Sequence, residues 1–346
     1  MRPPASPGPV GVAILGVGHW GPNLLRNFRE DHRTRILWVI DRDSDRLAHV
    51  AERYPGVRLS DSPASAFDDP AVAAAVIATP ASTHFDLARL ALAAGKHCLV
   101  EKPLATSAAA AQELVRTAAE ARLTLAVGHV FLYNPAIRQA KAYIDEGTIG
   151  KPYYASMVRT NLGPPHIDVN VSWDLATHDV SIANYWFGAP PNTASARGGS
   201  WIDRGREDTL FATLTYPDDR LVHIMVSWLS PRKMRDITLV GSRMMVTIDD
   251  MNLAEPMRLH DKGIDSDTSK PFIDSFGAFR ASIRDGEIRV PRIVMGEPLR
   301  AECQDFIDSI VQGRDPLASG AAALPVVRTI EAINRSMQNR GREESV

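Results

Sequence analysis

A glycine-rich turn directly after an apolar run constrains the fold of this chain more than any other feature. The apolar residues 10–15 lead into the sequence GVGHWG at residues 16–21, and further apolar residues follow at helical spacing. A strand, a glycine turn and a helix in this order are typical of a dinucleotide-binding βαβ unit. In such a unit Gly16 forms the tight turn, Gly18 lets the backbone approach a pyrophosphate, and Gly21 permits close packing of helix and strand.

A second apolar strand, predicted at residues 36–40, ends at Asp41. This acid follows the last glycine by about twenty residues, the separation expected for a carboxylate that binds the adenosine ribose. A carboxylate accepts a hydrogen bond from a free 2′-hydroxyl and repels a 2′-phosphate, so Asp41 favours NAD over NADP. Arg42 comes next and offers a cation for such a phosphate, which leaves NADP open.

Short apolar runs and helical patterns continue to alternate as far as residue 130. Strands are predicted at 72–78, 98–100 and 123–127, and helices at 45–54, 85–94 and 108–121. This alternation is typical of a parallel, doubly wound sheet, which binds ligands at the carboxyl ends of its strands. The residues that follow strand ends are therefore candidates for one binding edge: Thr79, Pro80, His84, Glu101 and Lys102.

The strand at 98–100 stops abruptly at an acid, a base and a proline, Glu101-Lys102-Pro103. Pro103 cannot donate to a sheet ladder, so the strand ends there. Taken alone, Glu101 and Lys102 favour a surface ion pair after a strand. Their place at the carboxyl end of a strand, after a glycine turn and Asp41, favours a role in binding or catalysis.

After residue 130 the pattern changes to strands separated by short turns. Helices are predicted at 136–144 and 173–187, and strands at 153–161, 193–199, 208–216, 221–229, 235–240 and 244–249. Short turns favour antiparallel pairing. One face of this sheet is expected to lie on the helix at 177–187, and the other to meet a partner subunit.

The sequence therefore predicts an α/β protein of two domains. A Rossmann dinucleotide-binding domain is expected at residues 10–130, after a disordered leader at 1–9. An α+β domain with a large, mostly antiparallel open sheet is expected at 131–340, with its C-terminal helices at 298–339. This second domain is assigned to substrate binding and oligomerisation.

The composition excludes several classes of protein. The chain has 346 residues and a formal net charge of −2, which gives no basic field for nucleic acid or an anionic membrane. No apolar run is long enough to span a bilayer, and residues 1–9 lack the apolar core of a secretory signal. Cys98 and Cys303 lie in apolar patterns, so a reducing cytoplasm is the simplest setting. No His, Cys and carboxylate spacing suggests a metal site.

Several motifs together resemble the Gfo/Idh/MocA oxidoreductases, the family of glucose-fructose oxidoreductase and inositol dehydrogenase. They are the glycine turn, the sequence IATP at 77–80 followed by Thr83-His84, and AGKH at 94–97 leading to Glu101-Lys102-Pro103. Asp174 and His178 match the D-x-x-x-H motif of that family. The resemblance implies that Lys102 lies beside the nicotinamide, with a Lys-Pro bond that is often cis, and that His178 faces the substrate hydroxyl.

Motif and resemblance together give a set of expected cofactor-binding residues. The cofactor is expected to be NAD, with NADP possible, and its contacts are Gly16, Gly18, His19, Trp20, Gly21, Asp41, Arg42, Thr79, Pro80, His84, Glu101 and Lys102.

The expected reaction is reversible hydride transfer between a nicotinamide and a secondary carbinol carbon. His178 is the candidate base, because an imidazole titrates near neutrality. Asp174 lies four residues earlier on the same predicted helix face and would orient that imidazole. Lys102 would stabilise alkoxide character on the substrate oxygen.

Polar and aromatic residues near the expected mouth of the crevice suit a polyhydroxylated substrate. They are Tyr133, Asn134, Arg159, Asn161, His166, Asn170 and Trp173. The sequences FLYNP at 131–135 and DVNVSWD at 168–174 are similar to the branch of the family that acts on sugars or sugar nucleotides at C3. Two alternatives stay open: an NAD-dependent glycosidase of the same fold, and a non-catalytic NAD(P)-binding sensor. The family resemblance also implies a homodimer or homotetramer.

Overall fold

The computed structural model describes residues 8–163, 168–203, 205–264 and 283–346. The chain divides into two compact units. The first contains Met1–Tyr133 and Glu297–Arg328, and the second contains Asn134–Gly296 and Thr329–Val346.

The first unit is built on a six-stranded parallel sheet. Its strands are β1 (Val10–Leu15), β2 (Thr34–Ile40), β3 (Arg58–Ser60), β4 (Ala74–Ile77), β5 (His97–Val100) and β6 (Leu125–Val127). They run in the order β3-β2-β1-β4-β5-β6 and all pairs are parallel. The order reverses between β1 and β4, which is where such sheets bind dinucleotides. The predicted Rossmann domain is confirmed.

Helices connect these strands in the expected alternation. They are α1 (Gly21–Glu30), α2 (Ser44–Arg53), α3 (Ala64–Phe67), α4 (His84–Ala93) and α5 (Ala108–Ala121). Local capping explains two of the starts, because the side chains of Asp43 and Ser107 accept backbone N–H groups of α2 and α5. The short strand β3 and the one-turn helix α3 were not predicted, since both are too short to show periodicity.

The second unit contains a nine-stranded mixed sheet. Its strands are β7 (Pro152–Leu162), β8 (Thr193–Gly199), β9 (Thr209–Thr215), β10 (Leu221–Ser227), β11 (Leu229–Gly241), β12 (Met245–Asp249), β13 (Met257–Ile264), β14 (Ile283–Arg289) and β15 (Glu344–Ser345). Among the described strands every pair is antiparallel except β7 with β10. The prediction of a large, mostly antiparallel sheet is confirmed.

One face of this sheet packs on a helix of the same unit. The second unit has α6 (Pro135–Asp145), a π-helical turn (Ser172–Ala176) and α7 (Thr177–Phe187). Tyr216, which follows β9, donates its hydroxyl to Asn184 of α7 at 2.7 Å and packs edge-on against Phe187. Val222 and Ile224 of β10 are buried, whereas Leu221 is exposed. The inner face therefore lies on α7, as predicted.

Two long helices complete the chain, α8 (Pro298–Gln312) and α9 (Gly320–Gln338). The sequence placed both with the second domain, but α8 belongs to the first compact unit and the division falls inside α9. The reason is the apolar stripe of α8, because Cys303 and Phe306 are buried in one core with Ile14 of β1. The phenyl ring of Phe306 meets that of Phe28 edge-on, with centroids 6.3 Å apart.

Two features are absent from the part of the chain that the structure describes. No helix there is both long and apolar enough to cross a membrane. No group of three or more His, Cys, Asp or Glu side chains there is arranged to hold a metal ion.

Candidate functional site

The glycine turn between β1 and α1 has the geometry that its sequence predicts. Gly16 adopts a φ of +87°, and a Cβ there would lie 2.7 Å from the carbonyl oxygen of Ala78. A Cβ on Gly21 would lie 1.9 Å from the carbonyl oxygen of Gly16. At Gly18 the nearest atom belongs to the flexible guanidinium of Arg46, at 3.2 Å. The backbone at Gly18 is thus open to a ligand, which fits a bound pyrophosphate.

Asp41 is fixed at the same turn through both of its carboxylate oxygens. Oδ2 accepts the backbone N–H of Val17 at 2.7 Å, and Oδ1 accepts that of Asp43 at 3.0 Å. Arg46 lies 3.8 Å from Oδ2. Each carboxylate oxygen has a second lone pair, so Asp41 retains capacity for the ribose hydroxyls of NAD.

Replacing Asp41 by asparagine is expected to weaken NAD binding relative to NADP binding by about tenfold or more, since a hydrogen bond to a charged group contributes about 1.5–3 kcal/mol. The measurement is the Kd of each cofactor by titration calorimetry. R42Q is the matched control, and it should weaken NADP selectively. An unchanged ratio of the two Kd values in D41N would contradict the assignment.

His84 bridges two loops at the carboxyl edge of the sheet. Its Nδ1 lies 2.7 Å from the carbonyl oxygen of Pro103, and its Nε2 lies 2.9 Å from that of Thr79. Carbonyl oxygens only accept, so both contacts are hydrogen bonds only when the ring carries two protons. His84 is 1 % exposed. It therefore connects the turn after β4 to the loop that follows Lys102.

Lys102 lies directly after β5, and its bond to Pro103 is cis, in agreement with the family resemblance. The preceding carboxyl group, that of Glu101, packs against the backbone of Gly128, where a Cβ would lie 2.7 Å from Oε2. The backbone N–H of Lys102 donates to the same Oε2 at 3.3 Å. Burial raises the pKa of Glu101, while the charge of Lys102 acts in the opposite direction.

His129, directly after β6, is a buried group that was not among the predicted site residues. Burial and the positive charge of Lys102 lower its pKa to about 4, so its imidazole is neutral at physiological pH. Its Nδ1 finds no hydrogen-bond partner among the described residues. The signal was present in the sequence, because His129 follows a strand of the same parallel sheet as Lys102.

In the second unit, Asp174 lies in the π-helical turn and His178 in the first turn of α7. The indole Nε1–H of Trp228 donates to Oδ2 of Asp174 at 2.9 Å, a partner that sequence reasoning did not identify. The sequence predicted regular α-helical spacing here, but the backbone N–H of Thr177 reaches the carbonyl of Ser172 in the π pattern. The backbone around Asp174 is therefore a π-helical turn and not the regular α-helix that the sequence predicted.

Arg159 forms a buried ion pair in the second unit. Its Nη2 donates to Oδ1 of Asp179 at 2.7 Å, and its Nε lies 3.2 Å from the same oxygen. Ala155, Met157 and Arg159 alternate onto the buried face of β7, where a charge needs a partner. Burial raises the pKa of Asp179, and Arg159 opposes that shift.

Three other expected substrate residues also bond to protein groups. Tyr133 donates its hydroxyl to Asp305 at 2.8 Å. Asn134 caps α6 through the N–H of Ala136 and donates to Asp250. Asn170 donates to Glu207 and Asn334, and its Oδ1 accepts from Ser172. Each of these three side chains, like Arg159, forms hydrogen bonds within the compact unit in which it lies.

The remaining expected residues are more accessible. Asn161 and Trp173 are half-buried in the second unit, and His19 and Trp20 lie in the glycine turn, with Trp20 41 % exposed. His166 lies outside the described residues.

The chain is similar to known proteins over most of its length. Two models of one family match: "Oxidoreductase family, NAD-binding Rossmann fold" over residues 10–129, and "GFO/IDH/MocA C-terminal domain" over residues 137–247. UDP-N-acetylglucosamine 3-dehydrogenase of Acidithiobacillus ferrooxidans is 27% identical over 334 residues, covering 93% of this chain and 97% of the relative.

One further relative and one solved structure are also similar to this chain. The scyllo-inositol 2-dehydrogenase (NAD(+)) of Bacillus subtilis is 32% identical over 195 residues, covering 55% of this chain and 57% of the relative. The crystal structure of GenD2 from gentamicin A biosynthesis, in complex with NAD, superposes with a TM-score of 0.81 at 24% identity, covering 100% of this chain and 99% of that one. The chain belongs to the Gfo/Idh/MocA family of NAD-binding oxidoreductases.

Proposed function

We propose that this chain is an NAD(P)-dependent dehydrogenase acting on a secondary hydroxyl or keto carbon of a sugar, cyclitol or nucleotide sugar, with C3 favoured. The observation that carries the proposal is the combination of groups held by one chain. It has a glycine turn whose Gly18 backbone is open to a ligand, a lysine at the carboxyl end of another strand of the same parallel sheet, and an Asp174/His178 pair.

The cofactor, when bound, accepts or supplies the hydride. We assign Gly16, Gly18, Gly21 and Asp41 to holding it, with the other expected contacts around them. In the oxidative direction His178 accepts the hydroxyl proton at an imidazole nitrogen.

The remaining groups support that proton transfer. The ammonium of Lys102 stabilises the negative charge that develops on the substrate oxygen. Asp174, fixed by Trp228, stabilises the imidazolium of His178. Asn161 and Trp173 are proposed as substrate contacts. Asn161 lies two residues after Arg159 on β7, and Trp173 directly precedes Asp174.

The substrate class is supported by the relatives. One is a nucleotide-sugar 3-dehydrogenase aligned over 93% of this chain, and another is a cyclitol dehydrogenase aligned over 55% of it. A panel of UDP-N-acetylglucosamine, other nucleotide sugars, free sugars and inositols, each with NAD and with NADP, tests the proposal. We expect NADH to accumulate with at least one member and a keto product to form.

Two other outcomes of the panel would contradict the dehydrogenase. Cleavage of a glycoside without accumulation of NADH would identify the glycosidase alternative. Cofactor binding with neither product would identify the non-catalytic sensor.

We further propose that the outer face of the nine-stranded sheet joins subunits into a homodimer or homotetramer. Tyr154 of β7, Phe211 of β9 and Leu221 of β10 are 47%, 48% and 44% exposed on it. Tyr154 pairs with Leu221 across the strands, and Phe211 pairs with Met225, so these side chains form one patch. Patches of this kind on one face of a sheet are typical of subunit contacts.

Phe211→Glu is expected to shift the protein toward monomer, because it places a charge in that patch. The measurement is the molar mass by light scattering after size exclusion. Leu90→Glu is the matched control, since Leu90 is 46% exposed in the first unit. Unchanged mass in F211E, or a wild-type monomer, would contradict the proposed interface.

A cytoplasmic location is also proposed. It is supported by Cys98 and Cys303, which are both free and buried and whose thiol pKa values are raised by burial. Such thiols are typical of proteins that stay in reducing compartments.

A further inference from the structure

Glu302 of α8 is a buried acid that none of the proposed steps uses. Its side chain is 2 % exposed, and neither carboxyl oxygen has a hydrogen-bond partner among the described residues. Leaving an ionised carboxylate in such a position is costly. Glu302 therefore needs either a cation or a proton.

Glu302 lies at the sheet edge that carries Lys102. The hydroxyl of Tyr133 donates to Asp305 of α8 at 2.8 Å, and the backbone N–H of Leu317 donates to Asp305 at 2.8 Å. The N–H of Val127, the last residue of β6, donates to the carbonyl of Ala318. Glu302 precedes Asp305 by three residues, which places both on one face of α8.

The charge of a second carboxyl group, that of Glu101, acts on Glu302. The Glu101 carboxyl packs against Gly128, directly after β6. The negative charge of Glu101 acts on Glu302, so the two acids form one electrostatic pair. Burial first, and then the charges of Glu101 and Asp305, raise the pKa of Glu302 well above its ordinary value of 4.5.

Four arginines near α8 form ion pairs with carboxylates other than Glu302. Arg314 contacts Asp305 at 2.6 Å. Along the side of α8 that meets α1, the ion pairs are Arg26 with Glu297, Arg300 with Glu30, and Arg33 with Asp308.

At the edge of β5 and β6, Lys102 is the cation that acts on Glu101, and His129 is held neutral. Tyr133 keeps its proton, because burial and the nearby acids raise its phenol pKa. Lys102 thus acts on the partly buried carboxyl of Glu101. Ionising the buried Glu302 as well would leave an uncompensated buried anion.

We propose that Glu302 holds the proton of a Glu101–Glu302 acid pair at neutral pH, leaving Glu101 as the anion of the pair. The proton resides on Glu302 because the lysine charge favours the ionised form of Glu101, whereas no cation among the described residues contacts Glu302. Glu302 is thereby a positioning residue for Lys102, and this role rests on the proposed function of that lysine.

The protonation is tested on the purified protein without substrate, by comparing Tm of wild type and Glu302→Gln across pH. Folded wild type keeps a proton that the unfolded chain loses above its ordinary pKa, so wild-type stability falls as pH rises through this interval. The amide of E302Q does not titrate, so it causes no such loss of stability as the pH rises. We expect the Tm of E302Q relative to wild type to be higher at about pH 7.5 than at about pH 5.

Glu297→Gln is the matched control on the same helix. Hydrogen bonds from Arg26 and Asn27 lower the pKa of Glu297, so its stabilisation is present above the unfolded pKa and is lost only as pH falls below it. The Tm deficit of E297Q is expected to stay constant between about pH 5 and pH 7.5. A difference for E302Q that is equally flat would overturn the protonation of Glu302.

The positioning role is tested by turnover and by cofactor affinity. Glu302→Leu removes the polar group, and we expect kcat to fall by about ten- to a hundredfold with little change in the Kd of NAD. E302Q, which keeps the shape and donor capacity of the neutral acid, should restore most of that loss. Wild-type kcat in a folded E302L would overturn the role, and so would an E302Q as slow as E302L.

The Tm measurement and the turnover measurement distinguish a failure of this inference from a failure of the proposed function. The pH dependence of Tm needs no substrate, so it reports on the acid pair even if no dehydrogenase substrate is found. Absence of turnover in wild type would count against the proposed function, whereas loss of the pH-dependent Tm gain in E302Q would count against the acid pair.

Discussion

Alanine at Lys102 or at His178 is expected to lower turnover by about a hundred- to ten-thousandfold, the range typical of removing one group that handles a proton in the transition state. Cofactor affinity should stay close to that of wild type, because neither substitution alters the glycine turn or Asp41. The measurements are kcat with the best substrate of the panel and the Kd of NAD by calorimetry.

Matched controls for these variants are exposed residues of the same type. Lys151→Ala and His32→Ala change a surface lysine and a surface histidine, and both should keep wild-type turnover. Full activity in K102A and H178A would refute the catalytic assignment. A large loss of NAD affinity in K102A would instead show that the main contribution of Lys102 is to cofactor binding.

Removing either partner of the buried pair Arg159–Asp179 is expected to destabilise the protein by about 3–5 kcal/mol, because it leaves an uncompensated charge in the interior. The pair is almost fully enclosed, with side chains 6% and 1% exposed. The free energy of unfolding in urea, followed by tryptophan fluorescence, reports on the second unit through the buried Trp186 and Trp228.

A double variant separates the charge effect from the loss of packing. R159M and D179L should each be strongly destabilised, while R159M/D179L should recover much of the loss because no charge remains buried. Single variants as stable as wild type would mean that water reaches the pair. A fully additive double variant would mean that the cost lies in packing.

The sequence predicted the first sheet well because five of its six strands contain a short apolar run. Parallel strands covered by helices on both faces have this pattern, and the glycine turn fixed the position of β1. β3 was missed because its three residues are only partly buried. The location of α8 could not be read from its stripe, since an apolar helix face does not specify which core it joins.

The candidate site was predictable where it follows local pattern and unpredictable where it depends on distant contacts. Asp41 and Lys102 were found because each follows a strand at the expected carboxyl edge. The partners Trp228 of Asp174 and Asp179 of Arg159 are 54 and 20 residues away in the chain. The proton on Glu302 depends on Glu101, which lies about two hundred residues earlier, so only the folded chain reveals it.

The π-helical turn is another feature that the sequence did not predict. The sequence predicts a regular α-helix from residue 173, but residues Ser172–Ala176 form a π-helical turn. The side chain of Asn170 accepts from Ser172 at this point, and the hydroxyl of Thr177 donates to the carbonyl of Trp173. Such side-chain bonds compete with the regular helical ladder. A π turn of this kind is frequent at functional sites.

Hydride transfer from the substrate carbon is the central claim, and an isotope measurement tests it most directly. The protein is incubated with NAD and UDP-N-acetylglucosamine, or the best substrate of the panel, deuterated at C3, and the cofactor is analysed by mass spectrometry. Transfer of deuterium to NADH, with formation of the 3-keto product and loss of both in K102A, is the predicted result. NADH without deuterium, or a converted substrate without any reduced cofactor, would contradict it.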